Sequence, residues 1–225
     1  MPTSTFARVG EEIAAFLLAA CCAGCDAPGE LLCDACRVRL APSPRESTTP
    51  GGLPVVAALG YDDIAARCIR RLKGEGETLL AGPLGLALRA TLARVTADGA
   101  VLVPIPTGRA AFRRRGYRVP DLLVRRAGGR PVRLLAPARP TADQRGLSTE
   151  ERAENVRGSM RMRAGIVSTV GPVVLVDDVV TTGATFDEAA RVLATAGVEV
   201  RAAVALAATP LHRRIIENAP ATRRK

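Results

Sequence analysis

The sequence predicts an α/β domain, a parallel sheet flanked by helices, preceded by a small cysteine-rich knuckle. Three observations carry that prediction. Short apolar runs alternate with helical patterns from Val55 to Ala207, the order that builds parallel sheets. Val173–Val176 are consecutive apolar residues, mostly β-branched, as in a central strand buried on both faces. Near the N-terminus, Cys22, Cys25, Cys33 and Cys36 form two C-x2-C pairs.

Taken in order, Glu11–Ala20 reads as a short amphipathic helix with acids in its first turn, where the helix dipole favours them. The run Ile13–Ala20 before Cys21 has the look of a secretory h-region. Glu11 and Glu12, however, stand where a signal peptide needs positive charge, so a cytoplasmic protein is expected. The two cysteine pairs, separated by DAPGELL, suit four thiolates placed tetrahedrally around a structural Zn²⁺. Their spacing is shorter than the usual ribbon. The competing readings are disulfides, disfavoured in a reducing compartment, and a redox C-x2-C, which has no need of a second copy. Cys21 is a neighbour able to replace Cys22, and Cys68 reads as a buried core thiol.

Ala41–Pro54 reads as an irregular Pro/Ser/Thr/Gly linker. A strand follows at VVAALG, then a helix from about Asp62 to Lys73 and a longer one over Thr78–Val95. Ala100–Ile105 is a short strand; Pro120–Arg126 and Ser148–Val156 are helices, the second opened by the capping box Ser148-Thr149-Glu150-Glu151. Val173–Val176 is a strand, Thr185–Ala196 a helix and Glu199–Ala207 a strand. There is no internal repeat. The expected division is residues 1–45 for the N-terminal helix and knuckle, 46–212 for the α/β domain, and 213–225 for a basic tail.

The chain has 225 residues, is 48% hydrophobic and only 3% aromatic, and carries a net charge of +10. No stretch reaches the roughly 18–20 apolar residues of a membrane helix. Between Arg109 and Arg163 stand 15 arginines against 5 acids, an excess equal to the whole chain's +10. Charge so concentrated favours a polyanion such as nucleic acid, pyrophosphate or a phosphorylated sugar. A run of like charges is more often just a solvated face.

Asp177 and Asp178 close the apolar strand, at the edge where open parallel sheets bind ligands. Behind them Val179-Val180-Thr181-Thr182-Gly183-Ala184-Thr185 leads into a helix. Gly183 permits a tight turn, and helix-start amides beside threonine hydroxyls form a phosphate cradle. Acceptors near an anion hole match a ribose 5-phosphate, with vicinal hydroxyls at one end and phosphate at the other. The bland alternative is a βα turn with an acidic lip.

The stretch VVLVDDVVTTGAT resembles the phosphoribosyl pyrophosphate (PRPP) signature of type I phosphoribosyltransferases. The resemblance implies a phosphoribosyltransferase-like parallel sheet, with Asp177 and Asp178 accepting from the ribose hydroxyls and Thr181–Thr185 holding the 5′-phosphate. More widely, the four-cysteine knuckle, VPIP, RRRGY (Arg113–Tyr117) and DQRGLSTEERAENVRGSM (Asp143–Met160) are similar to the ComF-type competence-associated family. There a zinc finger precedes a phosphoribosyltransferase-like domain. Members usually continue the RG-aromatic element with Asn-Gln, where this chain has Arg118-Val119. By the same analogy Val103–Arg109 lies near the pyrophosphate, and Arg113, Arg114, Arg115 and Arg145 close over it. Mg²⁺ is held mainly by substrate phosphates and water.

Two functions follow. One is a PRPP-dependent transferase joining ribose 5-phosphate to a nitrogen acceptor and releasing pyrophosphate. The other is a single-stranded DNA-handling protein gripping its ligand through the Arg109–Arg163 surface, its PRPP site regulatory or vestigial. With only Phe112 and Tyr117 available for stacking there, such binding is mostly electrostatic. The single histidine, His212, suits a surface position.

Overall fold

The computed structural model describes residues 21–96, 99–138, 156–163 and 171–210. Outside them lie Glu11–Ala20, Arg145 and the rest of the Gln144–Asn155 string with its capping box, His212 and the 213–225 tail.

The elements are α1 (Asp34–Arg39), β1 (Arg45–Thr48), β2 (Pro54–Gly60), α2 (Asp63–Gly74), a 3₁₀ turn (Thr78–Leu80), α3 (Ala81–Val95), β3 (Val101–Pro104), α4 (Arg109–Arg115), α5 (Val119–Arg126), β4 (Leu135–Pro137), β5 (Met160–Met162), β6 (Val173–Val180), α6 (Ala184–Thr195) and β7 (Val200–Ala208). A five-stranded sheet runs β1-β2-β7-β6-β3, and β4 pairs with β5 in a small second sheet. Only β1 is antiparallel to its neighbour; β2, β7, β6 and β3 are parallel throughout. This is the α/β architecture expected.

Both faces are covered. On one, α2, α3 and α5 pack with Val174, Val176, Val204 and Leu206, and the knuckle residues Cys22, Leu32, Cys36 and Leu40 join the same apolar cluster. On the other, Phe186, Ala189 and Leu193 of α6 meet Val173, Leu175, Ala203 and Ala205, with Leu134, Leu135 and Met160 alongside. The sheet core is thus Val, Leu and Ala, as the scarcity of aromatics requires. Small residues also let helices approach closely. At Gly85 of α3 a Cβ would lie 2.5 Å from the Arg126 Cβ of α5, so a larger residue would push the two helices apart.

Helix α2 is built by strong local signals. The Asp62 side chain caps it, accepting from the Ala65 amide at 2.9 Å, and Arg71 and Lys73 stand in its last turn, where the dipole favours cations. Ala65, Ala66, Cys68, Ile69 and Leu72 are its buried stripe, and Cys68 is fully enclosed as expected. Pro83 falls in the first turn of α3, where a missing amide breaks no helical bond.

Two readings need correction, and two elements had no reading at all. The Ala41–Pro54 segment is not wholly irregular: Arg45–Thr48 forms an edge strand on β2. Arg113–Arg115 belong to a helix, α4, that ends at left-handed Gly116. The short β4–β5 pair left no pattern long enough to read. And the strand before the acid pair does not stop at Val176; it carries both aspartates inside it to Val180.

Candidate functional site

Strand β6 outlasts its neighbour β3. The β3 ladder ends with Pro104 opposite Val176, while β7 stays paired with β6 through Val180 opposite Ala208. Asp177 and Asp178 therefore sit where one side of the strand is still bonded and the other opens beyond the Ile105 amide, which donates to the Val176 carbonyl at 2.8 Å. On the β3 side the ladder has already ended, because the two neighbours of β6 differ in length.

Adjacent strand residues point to opposite faces, so the two acids receive different surroundings. Asp178, 7% exposed, lies on the face of α2, and the Lys73 ammonium sits 2.8 Å from its Oδ1. Asp177 turns back along the chain, its Oδ1 accepting from the Asp178 amide at 2.8 Å. Burial, reinforced by the Asp178 charge, pushes the Asp177 carboxyl up to about 8; Lys73 and the amide offset only part of this. Burial draws the Lys73 ammonium down, but the Asp178 carboxylate outweighs it and leaves its pKa above the ordinary value. Near neutral pH the arrangement is a protonated Asp177 beside the Asp178–Lys73 pair.

Sequence reasoning missed Lys73. A signal existed: apart from Lys225 it is the chain's only lysine among many arginines. Tyr117, which the sequence offered for stacking, has a different place. Its hydroxyl donates to the Leu72 carbonyl, one residue before Lys73, so it is turned inward and braces the end of α2.

Behind the acids, Val179 and Val180 complete the strand and Thr181, Thr182 and Gly183 turn into α6. Gly183 has φ of 83°, which favours glycine, and a Cβ there would lie 2.8 Å from Thr49 Cγ2. The Thr182 hydroxyl accepts from the Ala184 amide at 3.4 Å; Thr181, Thr182, Ala184 and Thr185 are half-buried at the rim. Thr49, buried between β1 and β2, backs this turn and donates to the Asp187 carboxylate, whose other oxygen accepts from the Gly51 amide at 3.0 Å. The edge hairpin thus clamps the start of α6.

Across β3 lies a cleft of about 280 Å³ lined by Arg109, Arg113, Arg118, Arg133, Arg161 and Arg163 over an apolar floor that includes Phe112, Leu135 and Pro137. Its one acid, Asp121, is bonded to Arg133 Nε. The Arg118 guanidinium stacks 4.0 Å from the Phe112 ring centre, which is what this chain does with a position where Asn-Gln was the expectation. Among the described residues no carboxylate pairs with Arg109, Arg113, Arg161 or Arg163. Arg109 and Arg113 both line this cleft. Arg114 is exposed and Arg115 lies outside the cleft, its Nε buried without a hydrogen-bond partner.

In the knuckle, the sulfurs of Cys22, Cys25, Cys33 and Cys36 all lie within 4.8 Å of one another. The Cys25–Cys33 separation is 3.7 Å, close to the ~3.8 Å that tetrahedral Zn–S bonds of about 2.3 Å require. The Cys33 amide donates to Cys22 Sγ at 3.3 Å. Although burial raises the Cys22 thiol, this and other backbone donors bring it down to about 6. Cys21 is exposed and outside the cluster. The donor set fits zinc. Asp26 ties the knuckle to α2, its carboxylate bridging Arg67 and Arg71.

Residues 136–222 match the family model of the phosphoribosyl transferase domain. That stretch carries the acid pair and the turn behind it. Among solved structures, an adenine phosphoribosyltransferase is 15% identical, with 82% of this chain and 96% of that one covered and a TM-score of 0.44. The adenine phosphoribosyltransferase of Thermoanaerobacter pseudethanolicus is 18% identical over 78% of this chain and 90% of its own, TM-score 0.39. The orotate phosphoribosyltransferase of Aeropyrum pernix is 19% identical over 80% and 83%, TM-score 0.36. Comparison with curated proteins gives no match. Among the described residues no helix is long and apolar enough to cross a membrane.

Proposed function

We propose that the β6–α6 turn is a PRPP site and that the protein transfers ribose 5-phosphate to a nitrogen acceptor, releasing pyrophosphate. The observation that carries this reading is the acid pair held at the open end of a buried parallel strand, joined directly to a threonine–glycine turn at a helix start. Asp177 and Asp178 accept hydrogen bonds from the ribose 2′ and 3′ hydroxyls. The Thr181–Thr185 amides and hydroxyls take the 5′-phosphate. The loop after β3 and the α4 arginines Arg109 and Arg113 face the pyrophosphate. Charge neutralisation of the leaving group would come from Mg²⁺ when bound, held mainly by substrate phosphates and water. Displacement at ribose C1 then needs positioning and electrostatic stabilisation, with no nucleophilic side chain. The match of residues 136–222 to a phosphoribosyl transferase domain supports this assignment.

The knuckle holds a structural zinc through Cys22, Cys25, Cys33 and Cys36, in keeping with a reducing, cytoplasmic setting. The calorimetric test of the site is titration of PRPP with Mg²⁺ into wild type and Asp177→Asn/Asp178→Asn. Saturable binding lost in the double variant is expected. Unchanged affinity in the variant sinks the site assignment.

A second reading draws on the arginine cleft: a polyanion such as single-stranded DNA held there. Phe112 is already stacked under Arg118 and Tyr117 is bonded inward. Base stacking therefore contributes little, and binding rests on phosphate contacts with a steep salt dependence.

A further inference from the structure

We propose that Lys73 is an exchanging member of the ligand site. Its ammonium is held by Asp178 in the free protein and passes to the pyrophosphate of the ligand once ribose hydroxyls take over the carboxylates. The inference rests on the PRPP reading.

The type of residue is the first argument. This chain uses arginine almost everywhere, yet the cation at the acid pair is a lysine. A guanidinium would clamp a carboxylate with a planar fork; an ammonium is compact, with three donors around a rotatable stem, and can leave a single acceptor while turning to another. Lys73 makes one such contact, to Asp178 Oδ1.

Position is the second. The Lys73 side chain is 32% exposed while that of Asp178 is 11% exposed, so the lysine is the more open member of the pair. A ribose hydroxyl that takes Asp178 Oδ1 shares or replaces this contact. The ionisable groups facing Lys73 are Asp178, Asp177 and Tyr61. With the diol on the two acids, the pyrophosphate leaving from C1 of the same ribose is the strongest nearby attractor.

Its backbone does not need to move. Leu72, just before it, is fully buried and its carbonyl is held by Tyr117. Arg67 and Arg71, earlier on α2, are pinned by Asp26 of the knuckle. Only the side chain has freedom.

Charge is the third argument. The Asp178 carboxylate repels a ligand carrying a 5′-phosphate and a pyrophosphate, and an ammonium that turns from it to the diphosphate offsets that penalty. Its worth therefore scales with ligand charge at the C1 end.

The test is titration of wild type, Lys73→Met and Lys73→Gln with PRPP plus Mg²⁺ and, separately, with ribose 5-phosphate. Each uncharged variant is expected to cost PRPP at least about tenfold more affinity than it costs ribose 5-phosphate, the scale of one charge-assisted contact. Equal losses for both ligands, as expected if Lys73 only holds Asp178 in place, would overturn the proposal, as would undiminished PRPP binding. Thermal melting establishes that the variants are folded, and Lys73→Gln, which retains a donor toward Asp178, serves if the methionine variant is not. Wild type that binds neither ligand sinks the PRPP reading itself and this inference with it. Wild type that binds both, with variants losing both alike, sinks this inference alone.

Discussion

The acid pair and the arginine cleft flank the same sheet edge, on either side of β3, and treat charge in opposite ways. At the end of β6 the charges are few, enclosed and individually answered: Asp178 by Lys73, Asp177 by an amide and a raised pKa. In the cleft the charges are many and of one sign, and most lack a partner among the described residues. Enclosed charges in a low-dielectric setting have large, short-ranged effects that depend on geometry; exposed ones act collectively, through a field that salt screens. The first region answers each charge at short range and in one geometry, whereas the second presents a collective field.

The largest expected effect follows from how the first region is anchored. Helix α2 delivers Lys73 and is itself tied to the knuckle through Asp26 and the shared apolar cluster. Chelation of zinc, or Cys36→Ser, is expected to lower the melting temperature sharply and abolish PRPP binding. Zinc content, melting and calorimetry on the same sample check it. Release of no zinc from the purified protein by a strong chelator would remove the metal from this account. Loss of PRPP binding with salt-sensitive polyanion binding retained would sharpen the contrast between the two regions.

Next is Asp178→Ala, which leaves the Lys73 ammonium half-buried and unpaired. Breaking a buried pair is costly, though partial exposure of the lysine discounts it, to about 2 kcal/mol in urea unfolding. Adding Lys73→Met to that variant should restore part of the loss. No recovery would mean that the pair is not the source.

Asp177 gives an effect of another kind, one that depends on pH. Its carboxyl holds a proton in the folded state up to about 8 but in the unfolded chain only to about 3.8. Through that window the folded state binds more protons, so stability falls as pH rises, and the loss is complete above the folded value. Asp177→Asn is expected to flatten this slope and to melt higher than wild type at pH 8.5. Parallel melting curves for the two proteins between pH 5 and 8.5 would show that Asp177 is ordinary.

The smallest stability effect belongs to the cleft. Arg161→Gln/Arg163→Gln should change stability by no more than about 0.5 kcal/mol. The same variant should weaken binding of a single-stranded oligonucleotide and reduce the slope of its affinity against salt by about one to two charges. A slope equal to that of wild type would place any polyanion elsewhere.

Much of this was legible because it is local. Val173–Val176 announces a buried strand by hydrophobicity alone, Asp62 and the apolar stripe of α2 announce a helix, and the cysteine spacing announces a four-thiol cluster that the fold closes to within 4.8 Å. The acid pair and the Thr181–Thr185 turn lie within one short stretch, so their adjacency needed no tertiary information. What stayed hidden depends on partners distant in sequence. Arg45–Thr48 is a strand because β2 offers it an edge, not because its residues favour one. Arg109–Arg115 is a seven-residue helix with no buried face to betray it, and β4–β5 is too short for any periodicity to register.

The charges make the same division plainest. Composition alone determined that the positive excess lies between Arg109 and Arg163 and that two carboxylates stand side by side at a strand end. Only the tertiary structure decided which arginines converge on one cleft, that β3 stops short of the acids and that Lys73, over a hundred residues away in the chain, pairs with one of them. Hydrophobic periodicity and spacing are written along the chain, whereas the partner of a buried charge is set by which helix packs over which strand.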